Sequence, residues 1–508
     1  MRDLVLGRPD TWNVISFPFR VRRCVHPDIL WDMNTREPSS GKATIRAAVP
    51  GTRDEASGMN AEQPERFRGG MTATHAWYAV AVLTLANVSG TVDRQIFSSL
   101  VGPIKRDFGL TDTQISLVSG FGFAVFFSLF GLVIGRWVDS RRRTTIVAVG
   151  ATLWSMLTAL TGVTRGYGQL LLSRIGVGVG EATLGPSAVS IIADAFPRGR
   201  LGRAMSVYMM GSFLGSGVSY ALGSWLVSVK DKPGFVTLPV VGAIHPWQTV
   251  FFVIGLPGLL VALLMLTVRE PARTAGERAN AQVPVREVIA YLRRNARTMI
   301  SLCVGFTFSA SVNWGVGFWL QSFLVRTHQW SVAEAGLLQG VLTWVLGPMG
   351  ALLGGWLFDR YARRGVTDGP LRIGMMGAAG MIVFAGLYPI VPSGALVVAL
   401  LVPVNIFAAL PWGAANAAIA EAMPSRMRGQ GSAIFQLLVG LAGGIGPTAV
   451  ALVTDRVYGN DASLRWSLAT CTVIGMSIAF ALFAWGRPAY RATVAARDAS
   501  RERAAANA

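Results

Sequence analysis

Four ionisable residues lie inside long apolar stretches of this chain, where hydrocarbon would surround them. They are Asp93, Arg94, Arg174 and Glu181. Charges are costly in the interior of a membrane, so residues of this kind usually mark an ion or substrate pathway. A carboxylate there can exchange a proton, helped by desolvation, and a guanidinium can bind an anion. The pattern therefore indicates proton coupling by Asp93 and Glu181, with Arg94 and Arg174 as charge partners.

The helical rise predicts how deep these residues lie. If one helix enters the membrane near Gly168, Arg174 lies about 9 Å and Glu181 about 20 Å from that end. By the same estimate Asp93 lies about 10 Å from the end of its own helix. We expect Asp93 to meet Arg174, which leaves Glu181 near the midplane as the stronger candidate for proton exchange. The alternative is a static ion-pair network that only fixes helix packing.

The second half of the chain carries aromatic and weakly polar residues at the corresponding depth. A repeat offset of 220 residues aligns Asn313 with the acid of the first helix, and Trp314 and Trp319 follow it. These three residues are candidates for substrate contact, although any single aromatic residue can instead pack or face lipid. An aromatic wall opposite a charged wall predicts an amphiphilic substrate.

Twelve apolar stretches are long enough to position these residues across a membrane, since a spanning helix needs about 20 residues. They are 75–99, 113–137, 144–164, 168–194, 203–227, 247–268, 299–324, 333–357, 372–390, 394–420, 431–454 and 466–486. Hydrophobic residues make up 52% of the 508 residues and charged residues only 14%, which excludes an ordinary soluble protein. We predict an all-α membrane protein.

The chain repeats itself, and the repeat gives the arrangement of the helices. Ala-Asp-Ala-Phe-Pro at 193–197 aligns with Ala-Glu-Ala-Met-Pro at 420–424. Two six-helix halves in the same orientation are typical of parallel-repeat transporters. Connections on one side hold twenty Arg and Lys residues against eight on the other, so we expect both termini in the cytoplasm. The formal charge of +19 is thus an orientation signal and does not indicate nucleic acid.

A second repeated motif follows the second and eighth spans. Its members are Gly135, Asp139, Arg141 and Arg143, and then Gly355, Asp359, Arg360 and Arg363. Glycine allows close helix approach, and the acid can cap a helix end or pair with arginine between the halves. The motif predicts a cytoplasmic latch that breaks and re-forms. Simple positive-inside anchors would explain the arginines but not the repeated Gly-x-x-x-Asp spacing.

Small residues on the fifth and eleventh spans predict close packing and hinges. They are Gly211, Gly215, Gly217, Gly223, Gly444, Gly446 and Pro447.

The predicted domains follow from these spans. They are a disordered or mis-annotated extension at 1–70, a six-helix bundle at 71–268, a cytoplasmic linker at 269–298, a six-helix bundle at 299–486 and a cytoplasmic tail at 487–508. Two Met residues close before the first span fit a start codon set too far upstream. We expect the protein to fold and transport without the extension.

Enzyme, pump and metal-protein signatures are missing from the sequence. Cys24, Cys303 and Cys471 are far apart and the four histidines are scattered, so neither a disulfide framework nor a metal site is indicated, and we expect no cofactor. No phosphate-binding loop of an ATP-driven pump is present. A transport-dead receptor on the same scaffold stays open as an alternative.

Three segments resemble a known family. Gly-Arg-Trp-Val-Asp-Ser-Arg-Arg-Arg at 135–143 is similar to the signature between helices 2 and 3 of the major facilitator superfamily, with Ser140 in place of a usual basic residue. Thr-Val-Asp-Arg-Gln-Ile-Phe at 91–97 and Arg-Ile-Gly-Val-Gly-Val-Gly-Glu-Ala at 174–182 resemble the Spinster-like branch. This resemblance implies proton-coupled export of lysolipids or sphingoid phosphates, with arginines that bind an anionic headgroup.

We therefore expect a secondary active transporter that works by alternating access, as a monomer in the cell membrane, with the bacterial inner membrane favoured. Its expected partners are protons, the lipid bilayer and an amphiphilic or anionic small molecule. Uptake of a small organic anion or aromatic acid is the alternative.

The topology can be tested by cysteine labelling. Cysteines introduced at 280 and 232 should react with a membrane-impermeant reagent from opposite sides, because the charge asymmetry places 269–298 inside. Labelling of both from one side would contradict the twelve-helix arrangement.

Overall fold

The computed structural model describes residues 71–230, 236–238, 242–272, 284–424 and 427–506; the predicted extension at 1–70 lies outside them. The helices are α1 (Ala73–Phe108), α2 (Asp112–Ser116), α3 (Gly122–Ser140), α4 (Arg143–Thr161), α5 (Tyr167–Glu181), α6 (Leu184–Ala195), α7 (Arg198–Lys230), α8 (Thr249–Thr267), α9 (Val285–Arg294), α10 (Ala296–His328), α11 (Val332–Arg363), α12 (Gly369–Gly380), α13 (Gly394–Ala409), α14 (Pro411–Ala422), α15 (Arg428–Leu452) and α16 (Leu464–Ala506). A single antiparallel hairpin joins β1 (Val236–Leu238) to β2 (Gly242–Ile244).

The described helices are those of a multi-pass membrane protein. Nine helical segments are long and apolar enough to cross a membrane, and the apolar segment Gly369–Ala385 is shorter. α1 and α7, with 36 and 33 residues, have the length to cross but lie outside these nine. The predicted all-α membrane fold is confirmed at this level.

Two predicted spans are broken near their centres. The stretch 168–194 divides at Ala182 and Thr183 into α5 and α6, and the stretch 394–420 divides at Leu410 into α13 and α14. Pro411 begins α14, as proline often does at the first helical position. The repeat offset of 227 aligns Glu181, the last residue of α5, with Ala408 beside the second break.

Close packing joins the first eight helices to the last seven along two seams. In one seam α7 lies against α11, where a Cβ on Gly340 would come within 2.8 Å of the Gly217 oxygen. The other seam lies between α15 and the segment that connects α2 to α3. There a Cβ on Gly444 would lie 2.9 Å from the Gly120 oxygen. Small residues allow this approach because backbone meets backbone.

The other predicted packing residues lie in similar contacts. Gly211, Gly215 and Gly223 face α1, and Gly446 faces α10. Pro447 also belongs to the second seam, since its side chain lies near Gly120.

The close glycine contacts of the two seams end before one end of the bundle is reached. We call the end that carries residues 105–112 the outer end, because the charge pattern predicts that it faces outward, and the opposite end the inner end. Seam contacts reach inward as far as Phe213 with Gly347 and Ser128 with Gly440. Further inward, a Cβ on Gly135 or on Gly355 would meet nothing within 4 Å.

Arg143 fixes the inner ends of three helices in the first half. Its guanidinium, which is buried, donates to Glu270 (2.7 Å), to the Ser190 hydroxyl (2.9 Å), to Asp194 and to the Pro271 oxygen (2.8 Å). Every nitrogen of the guanidinium is therefore engaged. The guanidinium ties the start of α4 to α6 and to the segment after α8.

Glu270 also caps α4. Its carboxylate accepts the backbone N–H of Thr144 at 3.0 Å. Burial alone would raise the pKa of Glu270, but the Thr144 N–H and the Arg143 guanidinium hold the pKa below its usual value. The carboxylate is therefore ionised at neutral pH, which favours its place at a helix N-terminus.

The predicted linker and tail contain helix and pack together. α9 lies inside the predicted linker, and α16 continues without a break through the predicted boundary at residue 486. Tyr490, which is buried, donates to Glu421 at 2.8 Å, and Tyr291 of α9 donates to the Ala422 oxygen at 2.6 Å. Val494 belongs to the same apolar cluster as Val288. The tail is thus a structural part of the second half.

We predict that Arg143→Ala destabilises the protein strongly. Removing one partner from a buried charge cluster costs about 3–5 kcal/mol, because Asp194 and Glu270 keep their charges without a counterion. The melting temperature of the detergent-solubilised protein should fall, whereas Arg142→Ala, at the exposed neighbouring arginine, should leave the temperature nearly unchanged. Equal melting temperatures for the two variants would contradict this role of Arg143.

Candidate transport site

Asp93 and Arg174 form a buried ion pair between α1 and α5. Arg174 Nη1 lies 2.9 Å from Asp93 Oδ1, and Thr158 of α4 donates to the other carboxylate oxygen. The rings of Phe97 and Phe123 lie 5.5 and 5.7 Å from the guanidinium carbon. The predicted meeting of Asp93 with Arg174 is confirmed. Both side chains of this pair are almost fully buried.

Arg94 and Glu181 form a second ion pair that the sequence analysis did not predict. Arg94 Nη1 donates to Glu181 Oε2, and Arg94 Nη2 donates to the Thr91 hydroxyl at 2.9 Å. The Glu181 side chain is 1% exposed and that of Arg94 is 25% exposed. Glu181 Oε1 is buried and has no hydrogen-bond partner among the described residues. The pair thus joins an enclosed acid to an accessible arginine.

The break between α5 and α6 explains why Glu181 can take this position. Helices that end inside a membrane place polar groups near the midplane, where protein or a cavity must surround them. A side chain added at Gly90 would lie 3.5 Å from Glu181 Oε2, so the glycine on α1 leaves room for the carboxylate. The local sequence therefore builds a charged layer from α1 and the end of α5.

A narrow cavity in the second half contains one of the three predicted substrate contacts. Its lining residues are mainly apolar: Phe306, Ser309, Ala310, Asn313, Ala408, Pro411, Trp412, Ala415, Phe435 and Val439. Asn313 donates to the Ala408 oxygen at 3.2 Å, and its side-chain oxygen is buried without a partner in the described residues. The cavity is therefore mainly apolar, and Asn313 is among its few polar lining residues.

The other two predicted contacts lie elsewhere. Trp314 is 36% exposed and faces Gly443 of α15. Trp319 is fully buried, and its indole N–H donates to the Pro447 oxygen at 2.9 Å. Trp319 therefore packs α10 against α15 and does not line the cavity.

An ion-pair cluster closes the outer end, and the sequence analysis missed it. Asp112, which is fully buried, accepts two hydrogen bonds from Arg326 of α10, at 2.6 and 2.9 Å. Lys105 lies 2.9 Å from Asp112 and 2.5 Å from Asp461, which precedes α16. Residues from the start of the first half are thus bonded directly to the second half.

Two further hydrogen bonds strengthen this closure. The backbone N–H and the hydroxyl of Thr113 donate to Asp455, at 2.7 and 2.6 Å. In the sequence, Thr111-Asp-Thr-Gln is typical of a helix start, and the structure does form that capping box. An acid is ordinary in the first turn of a helix, so nothing in the sequence indicated that Asp112 pairs with the second half.

Four of the predicted cytoplasmic latch residues make no contact between the halves in the described part of the chain: Arg143, Asp359, Arg360 and Arg363. Arg143 bonds only within the first half, and the side chain of Asp139 lies outside what the structure describes. Asp359 and Arg363 are exposed, Arg360 stacks on Trp356 of its own helix, and Arg141 is exposed. The latch therefore stays a prediction.

Comparisons with known proteins agree with this architecture. A family model described as Major Facilitator Superfamily matches residues 83–447. An MFS-type efflux pump of Mycolicibacterium smegmatis is 27% identical over 384 residues, which are 75% of this chain and 85% of the pump. Protein spinster homolog 1 of Mus musculus is 27% identical over 375 residues, which are 69% of this chain and 68% of that protein.

A solved structure is similar as well. The crystal structure of a bacterial homolog to the human lysosomal transporter Spinster, in an inward-facing and unoccupied conformation, has a TM-score of 0.70 and 25% identity. The match covers 83% of this chain and 99% of that chain. The predicted resemblance to Spinster-like transporters is confirmed.

We predict that Asp112→Asn loosens the outer closure. The two cations that face Asp112 would lose their buried counterion, at a cost of about 2 kcal/mol, or roughly thirtyfold in the ratio of closed to open forms. Electron-resonance distances between spin labels at the exposed positions 106 and 457 should lengthen. Asp107→Asn is the matched control, because Asp107 bonds to Trp247 within the same half. Unchanged distances in Asp112→Asn would show that the cluster does not hold the outer end.

Proposed function

The chain belongs to the Major Facilitator Superfamily, and from this premise we propose that it is a proton-coupled secondary transporter of an amphiphilic anion that works by alternating access. The observation that carries the proposal is the ion pair between Glu181 and Arg94. Glu181 is enclosed at a helix break and has one oxygen without a partner among the described residues, whereas Arg94 is accessible. A titratable acid and an anion-binding group thus share one contact.

Twelve spans with both termini in the cytoplasm complete this proposal. Nine apolar segments, the shorter segment Gly369–Ala385, and the long helices α1 and α7 together make twelve. α1 carries Asp93 and Arg94 in its interior, and α7 is rich in glycine and serine, which explains their lower hydropathy. An even number of spans puts both termini on one side, and the arginine asymmetry favours the cytoplasmic side of a cell membrane.

The conformation fits an inward-facing state. The outer end is joined by Asp112 with Arg326 and by Thr113 with Asp455. At the inner end, a Cβ on Gly135 or on Gly355 would meet nothing within 4 Å. The similar bacterial structure is described as inward-facing. Alternating access then requires that the outer ion pairs break while contacts form at the inner end.

Competition for Arg94 provides a coupling mechanism. In the present arrangement the Glu181 carboxylate neutralises Arg94. A proton on Glu181 removes that charge and frees the guanidinium to bind the anionic group of a substrate. When the substrate leaves, Arg94 again favours the ionised carboxylate, and the proton is released. Proton and substrate movements are linked because both change the same ion pair.

Asp93 has a different role in this mechanism. Its two oxygens are occupied by Arg174 and Thr158, so protonation would leave a buried guanidinium without a counterion. We assign the Asp93–Arg174 pair to the fixed framework that holds α1 against α5. Arg174 can therefore contact substrate only if that pair opens, whereas Arg94 is already accessible.

We propose the substrate class from two features, one in each half. Arg94 offers a positive charge on one side, and the cavity around Asn313 offers aromatic and apolar walls on the other. An anionic headgroup with an apolar tail fits both, in agreement with the lysolipid-like cargo that the family resemblance implies. A small organic anion would use Arg94 but leave the apolar cavity unused.

Transport assays on two carboxylate variants test this proposal. Glu181→Gln should abolish accumulation of a labelled lysophospholipid against its gradient in proteoliposomes with an imposed pH difference, yet keep downhill exchange. Asp93→Asn should instead reduce folded protein, since it removes a framework charge. Glu287→Gln, at an exposed acid of α9, is the matched control. Accumulation by Glu181→Gln at the wild-type level would refute coupling through Glu181, and transport of benzoate but no lysophospholipid would refute the amphiphile.

A further inference from the structure

The inner ends of the two halves carry ion-pair clusters in which the signs of the central and surrounding charges are reversed. In the first half, one buried arginine at the start of α4 binds two acids, Asp194 and Glu270. In the second half, one buried acid, Asp368, precedes α12 and binds three arginines. These clusters occupy corresponding places in the repeat, but their net charges are −1 and +2. The fold therefore does not require excess positive charge at this position.

The arginines of the second cluster use few of their donors. Arg372 Nε, Arg487 Nε and Arg491 Nη2 lie 3.1, 2.7 and 2.7 Å from Asp368. These contacts use one nitrogen of each guanidinium, and within the described residues no other acceptor contacts them. Arg143, by contrast, uses all three of its nitrogens. Several N–H groups of the second cluster are thus free to bind another acceptor.

The same arginines are accessible from outside the protein. Their side chains are 38%, 29% and 48% exposed, in the order Arg372, Arg487 and Arg491, whereas the Asp368 side chain is 2% exposed. Burial alone would raise the pKa of Asp368, but the bonds from Arg491 and Arg487 hold the pKa at about 2. Asp368 is therefore ionised at neutral pH and cancels only one of three positive charges.

Exposed apolar side chains lie at the depth of the cluster. Met376 lies one turn after Arg372 on the same face of α12 and is 38% exposed, and Trp485 lies two residues before Arg487 on another face of α16 and is 45% exposed. Arg297 stacks on Trp485 at 5.0 Å. Exposed tryptophan is typical of the membrane interface, so the arginines lie at headgroup level.

We propose that Arg372, Arg487 and Arg491 form a binding site for the phosphate of an anionic phospholipid, whose acyl chains lie along Met376. Guanidinium groups bind phosphate oxygens in pairs, which suits three arginines with unused N–H groups around one point. Basic pockets between spanning helices bind anionic headgroups in this way. The lipid would fasten α12 to α16 and, through α16, to the tail that packs on α14.

Lipid titration of the full-length protein tests the site. In detergent, phosphatidylglycerol should raise the melting temperature of the wild type more than phosphatidylcholine does. Arg487→Gln combined with Arg491→Gln should bind phosphatidylglycerol ~30-fold more weakly, at about fivefold per arginine. Arg293→Gln combined with Arg294→Gln, at two exposed arginines of α9, is the matched control and should bind as the wild type does. Equal weakening in both pairs would overturn a specific site.

A second variant keeps the proposal testable if the double variant does not fold. Asp368→Asn leaves three arginines without their anion, so a lipid phosphate should replace the carboxylate. Phosphatidylglycerol should then raise the melting temperature of Asp368→Asn more than that of the wild type. An equal or smaller rise would overturn the proposal. If inorganic phosphate raised the melting temperature of the wild type as much as phosphatidylglycerol does, the ligand would not be a lipid.

Discussion

The fold depends on how its charges are paired where water is scarce. Asp93 with Arg174 and Arg94 with Glu181 place two acids and two bases in one layer of the first half, so the layer is neutral as a whole. A neutral layer can lie inside a membrane protein, but any change in one member leaves a partner unbalanced. Because of this constraint, the charged layer is a candidate for coupling proton binding to substrate binding.

The same constraint explains how the layer can affect the ends of the molecule. α1 carries Asp93 and Arg94 in its interior and Lys105 near its outer end, where Lys105 joins the cluster with Asp112 and Asp461. α1 is a single helix between these positions, with Pro103 inside it. In the proposed mechanism, this helix passes a movement of its interior to the outer closure.

The sequence predicted the membrane fold, its internal repeat and the pairing of Asp93 with Arg174, because hydropathy, repeat offset and helical rise are local or periodic signals. The sequence did not predict the partner of Glu181, because helical rise places backbone atoms only, and the long Arg94 side chain reaches an acid at another depth. The outer cluster was also missed, because Arg326 lies 214 residues from Asp112 and only the tertiary fold brings them together. Arg143 was read as a latch residue from its motif, and its bonds to Asp194 and Glu270 depend on helix ends that no periodic pattern specifies.

The proposed mechanism requires that protonation of Glu181, which frees Arg94 on α1, also loosens the outer closure at the end of that helix. The most direct measurement is the distance distribution between spin labels at positions 106 and 457, recorded in lipid nanodiscs at pH 5 and at pH 8. The account predicts that low pH lengthens the distances in the wild type and that Glu181→Gln shows the low-pH distribution at both pH values. A distribution in Glu181→Gln that still responds to pH as in the wild type would contradict the account.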